Sequence, residues 1–180
     1  AIILAATGQA MNSRNASKIE FDFIPLTDFI SFNFLFASDE YGTFQCSFSD
    51  AFAFLLTNVA TNTTTNLALI PNTTTPISVV TIRNQLYNAG CASVNPEYFA
   101  FYYGAGGVNP LGAPINFNGV TVPMTASATV VPNSNYKIKM VVADRSDTAY
   151  DSAVFLEGGS FELGDLDLGV DLLISSGNAI

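Results

Sequence analysis

Six acidic side chains fall into two groups that a fold could bring to one place: Asp39, Glu40 and Asp50, then Asp144, Asp147 and Asp151. Carboxylates grouped this way suit Ca2+, a hard cation that draws oxygen ligands from carboxylates, amides and backbone carbonyls. If the two loops meet at one end of the fold, they form an acidic pocket for calcium. The alternative is that they are solvated turn acids, since Asp bonds readily to nearby backbone in turns. No EF-hand spacing organises them. Asp39, Glu40, Asp50, Asp144 and Glu157 could instead pair for glycoside hydrolysis. Histidine is absent, however, so Ser-His-Asp triads, Cys-His dyads and imidazole metal sites are excluded by inventory. Tryptophan, the usual sugar platform of such enzymes, is absent too, and the chain is expected not to be an enzyme.

Cys46 and Cys91 lie too far apart for a CxxC redox or zinc motif. A disulfide between two loops is expected, with two free buried thiols as the alternative. Tyr98, Tyr102 and Tyr103 sit beside a glycine- and proline-dense stretch and could contact glycans. Asn15, Asn62 and Asn72 occupy N-x-[ST] sequons.

The elements that must position these groups are strands. Fifteen Phe and seven Tyr, many separated by one residue, suit a pleated, half-buried surface. Ile19, Phe21 and Phe23 alternate with Glu20 and Asp22, and Ile30, Phe32, Phe34 and Phe36 alternate with Ser31 and Asn33. Phe52, Phe54 and Leu56 share a face opposite the small Ala51 and Ala53. The Thr/Asn-rich run from 57 to 82 predicts a hairpin whose strands are Leu67 to Ile70 and Ile77 to Ile82, with polar loops between. Residues 83–119 read as a long irregular connection that a cross-link at Cys91 would pin. Strands resume from Gly119 to Val131, from Asn135 to Asp144 and from Ser152, with a bend at Gly158 and Gly159. The expected fold is all-β, an antiparallel, jelly-roll-like β-sandwich over residues 1–164.

Residues 165–180 form a second unit in this reading. Leu166, Leu168, Val170, Leu172 and Ile174 alternate with Asp165, Asp167 and Asp171. Either this is the last strand of the sandwich, or it is donated to a neighbouring copy, main chain pairing with an open sheet and alternate side chains filling pockets. IILAATGQA near the start faintly echoes LLISSGNA at the finish, as consecutive units of an array would.

Charge narrows the partners. Six basic residues against fifteen acids give a net charge of −9, so no cationic stripe can neutralise a phosphate backbone, and an anionic lipid surface would repel the chain. Nucleic acid and membrane insertion are not expected. The apolar start at Ala1 lacks an initiator Met and a basic leader, which suggests an upstream segment removed or missing.

Three strings, IEFDFIPLTDFISFNFLFASDEY, CSFSDAFAFLLT and VVADRSDTAYDSAVFLEGGSFEL, together resemble the choice-of-anchor L domain. The resemblance runs from about Ile2 to Phe161. That family occurs in secreted or cell-surface proteins, chiefly of Bacteroidota, joined to varied C-terminal sorting or anchoring signals. It implies a β-sandwich and an extracellular location, and it brings no established enzymatic chemistry. Asp147-Thr148-Ala149 and Asp151-Ser152-Ala153 resemble the O-glycosylation signal of that phylum, which makes Thr148 and Ser152 candidate glycan carriers. The function expected is that of a structural protomer of an extracellular filament or adhesin fibre, whose partners are copies of itself. The alternative is a calcium-dependent, lectin-like glycan-binding module.

Overall fold

The computed structural model describes residues 13–108, 110–145 and 149–163. Among these the chain forms nine strands: β1 (Ser13–Phe23), β2 (Phe29–Ser38), β3 (Ala51–Asn58), β4 (Thr63–Asn66), β5 (Phe99–Tyr102), β6 (Gly119–Thr121), β7 (Met124–Thr129), β8 (Tyr136–Arg145) and β9 (Ser152–Leu156). The only helical pieces described are short 3₁₀ turns. All strand pairing is antiparallel, in two sheets packed face to face, so the β-sandwich is observed.

The first sheet has the order β1-β8-β3-β4. β2 is the centre of the second: Phe34 pairs with Met124 of β7 on one side and Leu156 of β9 on the other. β6 continues the line of β7 beyond Val122 and Pro123, and β5 lies outside β6. Pro123 has no N–H to give the ladder, which accounts for a break at this point.

The core follows directly from period-two alternation. Ile30, Phe32, Phe34 and Phe36 of β2 face Phe52, Phe54 and Leu56 of β3, and all seven are at most 6% exposed. Their rings interlock mainly edge to face: Phe34 and Phe54 centroids lie 4.8 Å apart, Phe32 and Phe54 5.0 Å. Such pairs contribute about 0.5–1.5 kcal/mol beyond the burial of their area. On the outer face of the first sheet, register sets Glu20 opposite Lys139 and Asp22 opposite Lys137. The Lys139 ammonium reaches the Glu20 carboxylate at 3.0 Å and holds that carboxyl below its ordinary pKa.

The expected hairpin across 57–82 is found only as a short antiparallel bridge, Leu69 pairing with Pro76 and Ile77 N donating to Ala68 O at 3.1 Å. The strand is the polar run Thr63–Asn66 itself, paired with Leu55–Asn58, because β-branched Thr suits an edge strand as well as a turn. Ile77, Val79 and Ile82 are fully buried, but the chain turns after Ile77: Ser78 O accepts from Thr81 N and Ile82 N, and the Thr81 hydroxyl donates to Pro76 O at 2.8 Å. Residues 83–119 are largely irregular, as expected, but carry β5 and the start of β6. The Cys46–Cys91 disulfide ties this connection to the loop after β2.

Candidate functional site

The ends of the strands assemble the acidic groups. β2 finishes at Ser38 opposite Ser152, where β9 begins, and β3 begins at Ala51 opposite Ala143 of β8. Asp39, Glu40, Asp50, Asp144 and Asp151 therefore gather at one end of the sandwich. Asp39 N donates to Asp151 O at 3.0 Å, and Asp39 Oδ1 accepts from Asn118 N at 3.0 Å. Glu40 Oε2 accepts from Asp50 N at 2.8 Å, and Asp50 Oδ1 from Arg145 N at 3.3 Å. Glu40, Asp50 and Asp144 are buried. Burial holds the Asp39 carboxyl above the usual carboxylate range; the Asn118 N–H opposes this and the nearby Asp151 charge adds to it. Asp147 lies outside the described residues. Among the described residues, no group of three or more His, Cys, Asp or Glu is placed to hold a metal ion. Glu157 accepts from Asn33 Nδ2 at 2.7 Å beside the middle of β2, away from this end.

The tyrosines do not form a displayed sugar platform. Tyr102 and Tyr103 are 7% and 9% exposed, and Tyr102 packs against Tyr87 with centroids 4.7 Å apart. Tyr98 is half-buried against the core. Their aromatic area is spent on packing under the long connection.

The sequon asparagines have a conformational explanation. Asn15, Asn62 and Asn72 are exposed with φ of 45°, 54° and 62°, the left-handed region that Asn tolerates better than most residues. Ser152 is half-buried in β9 and shares a hydrogen bond with Ser38 Oγ at 2.9 Å. A sugar on its hydroxyl would break that bond, which speaks against glycosylation there. Thr148 lies outside the described residues.

Among the described residues, one side of the sandwich is open. In β1, Ile19 stands opposite Met140 and Phe21 opposite Ile138, both core residues of β8, so this row of β1 faces the core. Yet Ile19 is 59% exposed and Phe21 38%. Across from it, Leu156 of β9 is 43% exposed. Between the two strands run two adjoining hollows of about 230 and 160 Å³, both touched by Ile19, Met140 and Leu156. The groove seals near Phe21 and Phe23, where Phe161 packs edge-on against both at 5.6 Å. The described chain finishes beside that seal, Leu163 O accepting from Leu26 N at 2.9 Å. Leu166, Leu168, Val170, Leu172 and Ile174, the candidate linking residues, lie outside the described residues.

The family model of the choice-of-anchor L domain matches residues 2–162, most of the 180-residue chain. The chain belongs to that family. Choice-of-anchor L domains are parts of secreted or cell-surface proteins, and no helix among the described residues is long and apolar enough to cross a membrane. No curated protein and no solved structure matches the chain. In this choice-of-anchor L domain, sequence reasoning missed the exposure of Ile19 and the role of Met140, Val154 and Leu156 in lining the groove. Alternation marks which face a residue takes, but not whether anything covers that face.

Proposed function

We propose that this domain is a structural protomer of an extracellular filament or adhesin fibre. In this reading residues 165–174 of one copy fill the β1–β9 groove of the next. The carrying observation is the uncovered, core-facing row of Ile19 and Phe21 opposite Leu156. Two edge strands flank it, and a strand laid between them would gain main-chain bonds while its alternate side chains fill the hollows. The apolar row Leu166, Leu168, Val170, Leu172 and Ile174 supplies such side chains, and its aspartates would point to water. Ten extended residues span about 33 Å, enough to run the length of β1. Donor and acceptor are different surfaces, so the contact is head to tail and propagates.

Deleting residues 165–180 tests the reading. Electron microscopy and size-exclusion chromatography are expected to show folded monomers in place of fibres. Fibres from the truncated chain would refute the C-terminal donor, and a full-length chain that stays monomeric with its groove filled by its own tail would refute the polymer.

A calcium ion at the acidic end is a second reading. It rests on the gathering of Asp39, Glu40, Asp50, Asp144 and Asp151 at one end of the sandwich, three of them buried. Saturating calcium is expected to raise Tm and chelator to lower it, because a ligand of the native state alone stabilises that state. Coincident melting curves would dismiss the ion.

A further inference from the structure

The side of the sandwich opposite the β1–β9 groove is also open, between the edge strands β4 and β7, and its chemistry is different. The hollow there measures about 610 Å³, and among the described residues no charged side chain lines it. Its size falls within the ~300–1,000 Å³ typical of small-ligand sites. Leu56, Leu67, Ile70 and the ring of Tyr136 form an apolar floor.

Register shows why the hollow exists. Thr65 pairs with Leu56, which is 6% exposed and faces the core, so Thr65 and Thr63 stand on the core-facing side of β4. A covered sandwich would place Leu, Ile or Val there. Across the gap, the core-facing row of β7 beyond Met124 carries only the small Ala126 and Ala128, opposite Phe32 and Ile30. Short side chains on one wall and hydroxyls on the other hold the space open.

These hydroxyls are not consumed by the fold. The Thr57 and Thr64 hydroxyls bond each other on the outer face at 2.8 Å, and the Thr73 hydroxyl donates to Ile70 O at 2.9 Å. Among the described residues, no hydrogen bond engages the hydroxyls of Thr63, Thr65, Ser127 or Thr129. The end wall is firmly built, with Ile70 N donating to Thr75 O at 2.9 Å and Asn66 Oδ1 accepting from Phe54 N and Ala68 N.

We infer that this hollow binds a neutral oligosaccharide, without a metal ion. Sugar hydroxyls exchange hydrogen bonds with Thr63 and Thr65, while an apolar C–H face of the sugar lies on Leu67, Ile70 and Tyr136. A pre-formed concave site with an apolar floor and a few polar groups is what small-ligand recognition requires. A strand with a leucine row fits poorly, because it would bury the threonine hydroxyls without partners. An acidic sugar would meet no cation in the hollow and a chain of net charge −9 around it.

The test is a two-dimensional amide NMR titration of the full chain with maltohexaose, cellohexaose and mannohexaose, and with hexagalacturonate as the charged control. At least one neutral probe is expected to shift amides confined to residues 61–73 and 125–129, with Kd of about 1 mM or tighter. Thr65→Val should weaken that binding about tenfold, one hydrogen bond being worth roughly that factor. Thr63→Val should act similarly, chelator should change nothing, and Tm should be retained in both variants. Silence from every neutral probe at about 10 mM, well above that Kd, would overturn the site. So would equal binding of hexagalacturonate, indifference to both substitutions, or the same shifts from a peptide of residues 165–174. The groove between β1 and β9 lies on the other side, so fibre assembly is unaffected by either result.

Discussion

Replacing Cys46 and Cys91 together by Ala is expected to lower the free energy of unfolding by about 4 kcal/mol, the chain-entropy value for a closed loop of this length. The bridged residues are 45 apart in sequence, and the cross-link removes the many conformations that loop would otherwise sample when unfolded. In the folded chain the same two loops are already joined by weaker ties. Gln45 Nε2 donates to Asn84 O at 3.0 Å, and Asn88 Nδ2 donates to Gly42 O at 3.0 Å. Each is worth about 1 kcal/mol, so the native loops should keep their positions while the global stability falls. In a chain of this size the loss corresponds to a fall in Tm of about 8–16 °C. Denaturant titration of the variant against the oxidised parent measures it, and a loss below about 1 kcal/mol would show that the unfolded chain is already compact there.

Phe54→Ala is expected to cost about 3–5 kcal/mol, as large-to-small changes of buried Phe generally do. Phe54 is 1% exposed at the centre of β3 and touches Phe32, Phe34 and Phe52, with centroids 4.8–5.5 Å away. Those neighbours belong to two packed sheets whose spacing is fixed by many other side chains, so the vacated volume cannot collapse. With whole-domain stabilities of about 5–15 kcal/mol, this single change would leave the fold marginal. Urea unfolding checks it, and a cost under about 1.5 kcal/mol would mean that the aromatic cluster repacks.

Much of this architecture was legible residue by residue. Ile30, Phe32, Phe34 and Phe36 all face the core as their alternation predicts, because a half-buried strand cannot hide every second residue in any other way. The gathering of Asp39, Glu40, Asp50, Asp144 and Asp151 was legible for a related reason, each lying at the end of a strand that the pattern located. Other features depend on information that local sequence does not carry. Thr63 to Asn66 reads equally as turn or strand, and only the free edge of β3 decides it. Ile77 and Val79 alternate like a strand, but pairing stops at Ile77 and Val79 is buried on a turn, where the Thr81 hydroxyl stabilises the bend. Tyr102 and Tyr103 lie beside a glycine-rich run that suggests exposure, yet they fill space beneath it. The uncovered state of Ile19 depends on what does or does not lie across from β1, which is a tertiary fact.

β1 starts at the acidic end, with Ser13 opposite Arg145, while Leu163 is fastened to Leu26 at the other end. Tension applied between these two points is therefore directed along the strand axes. The ladders on either side of β8 and β2 lie across that pull, so their hydrogen bonds share the load in shear and must yield together instead of unzipping one by one. A domain pulled in this way is expected to resist stretching better than its thermodynamic stability alone would suggest.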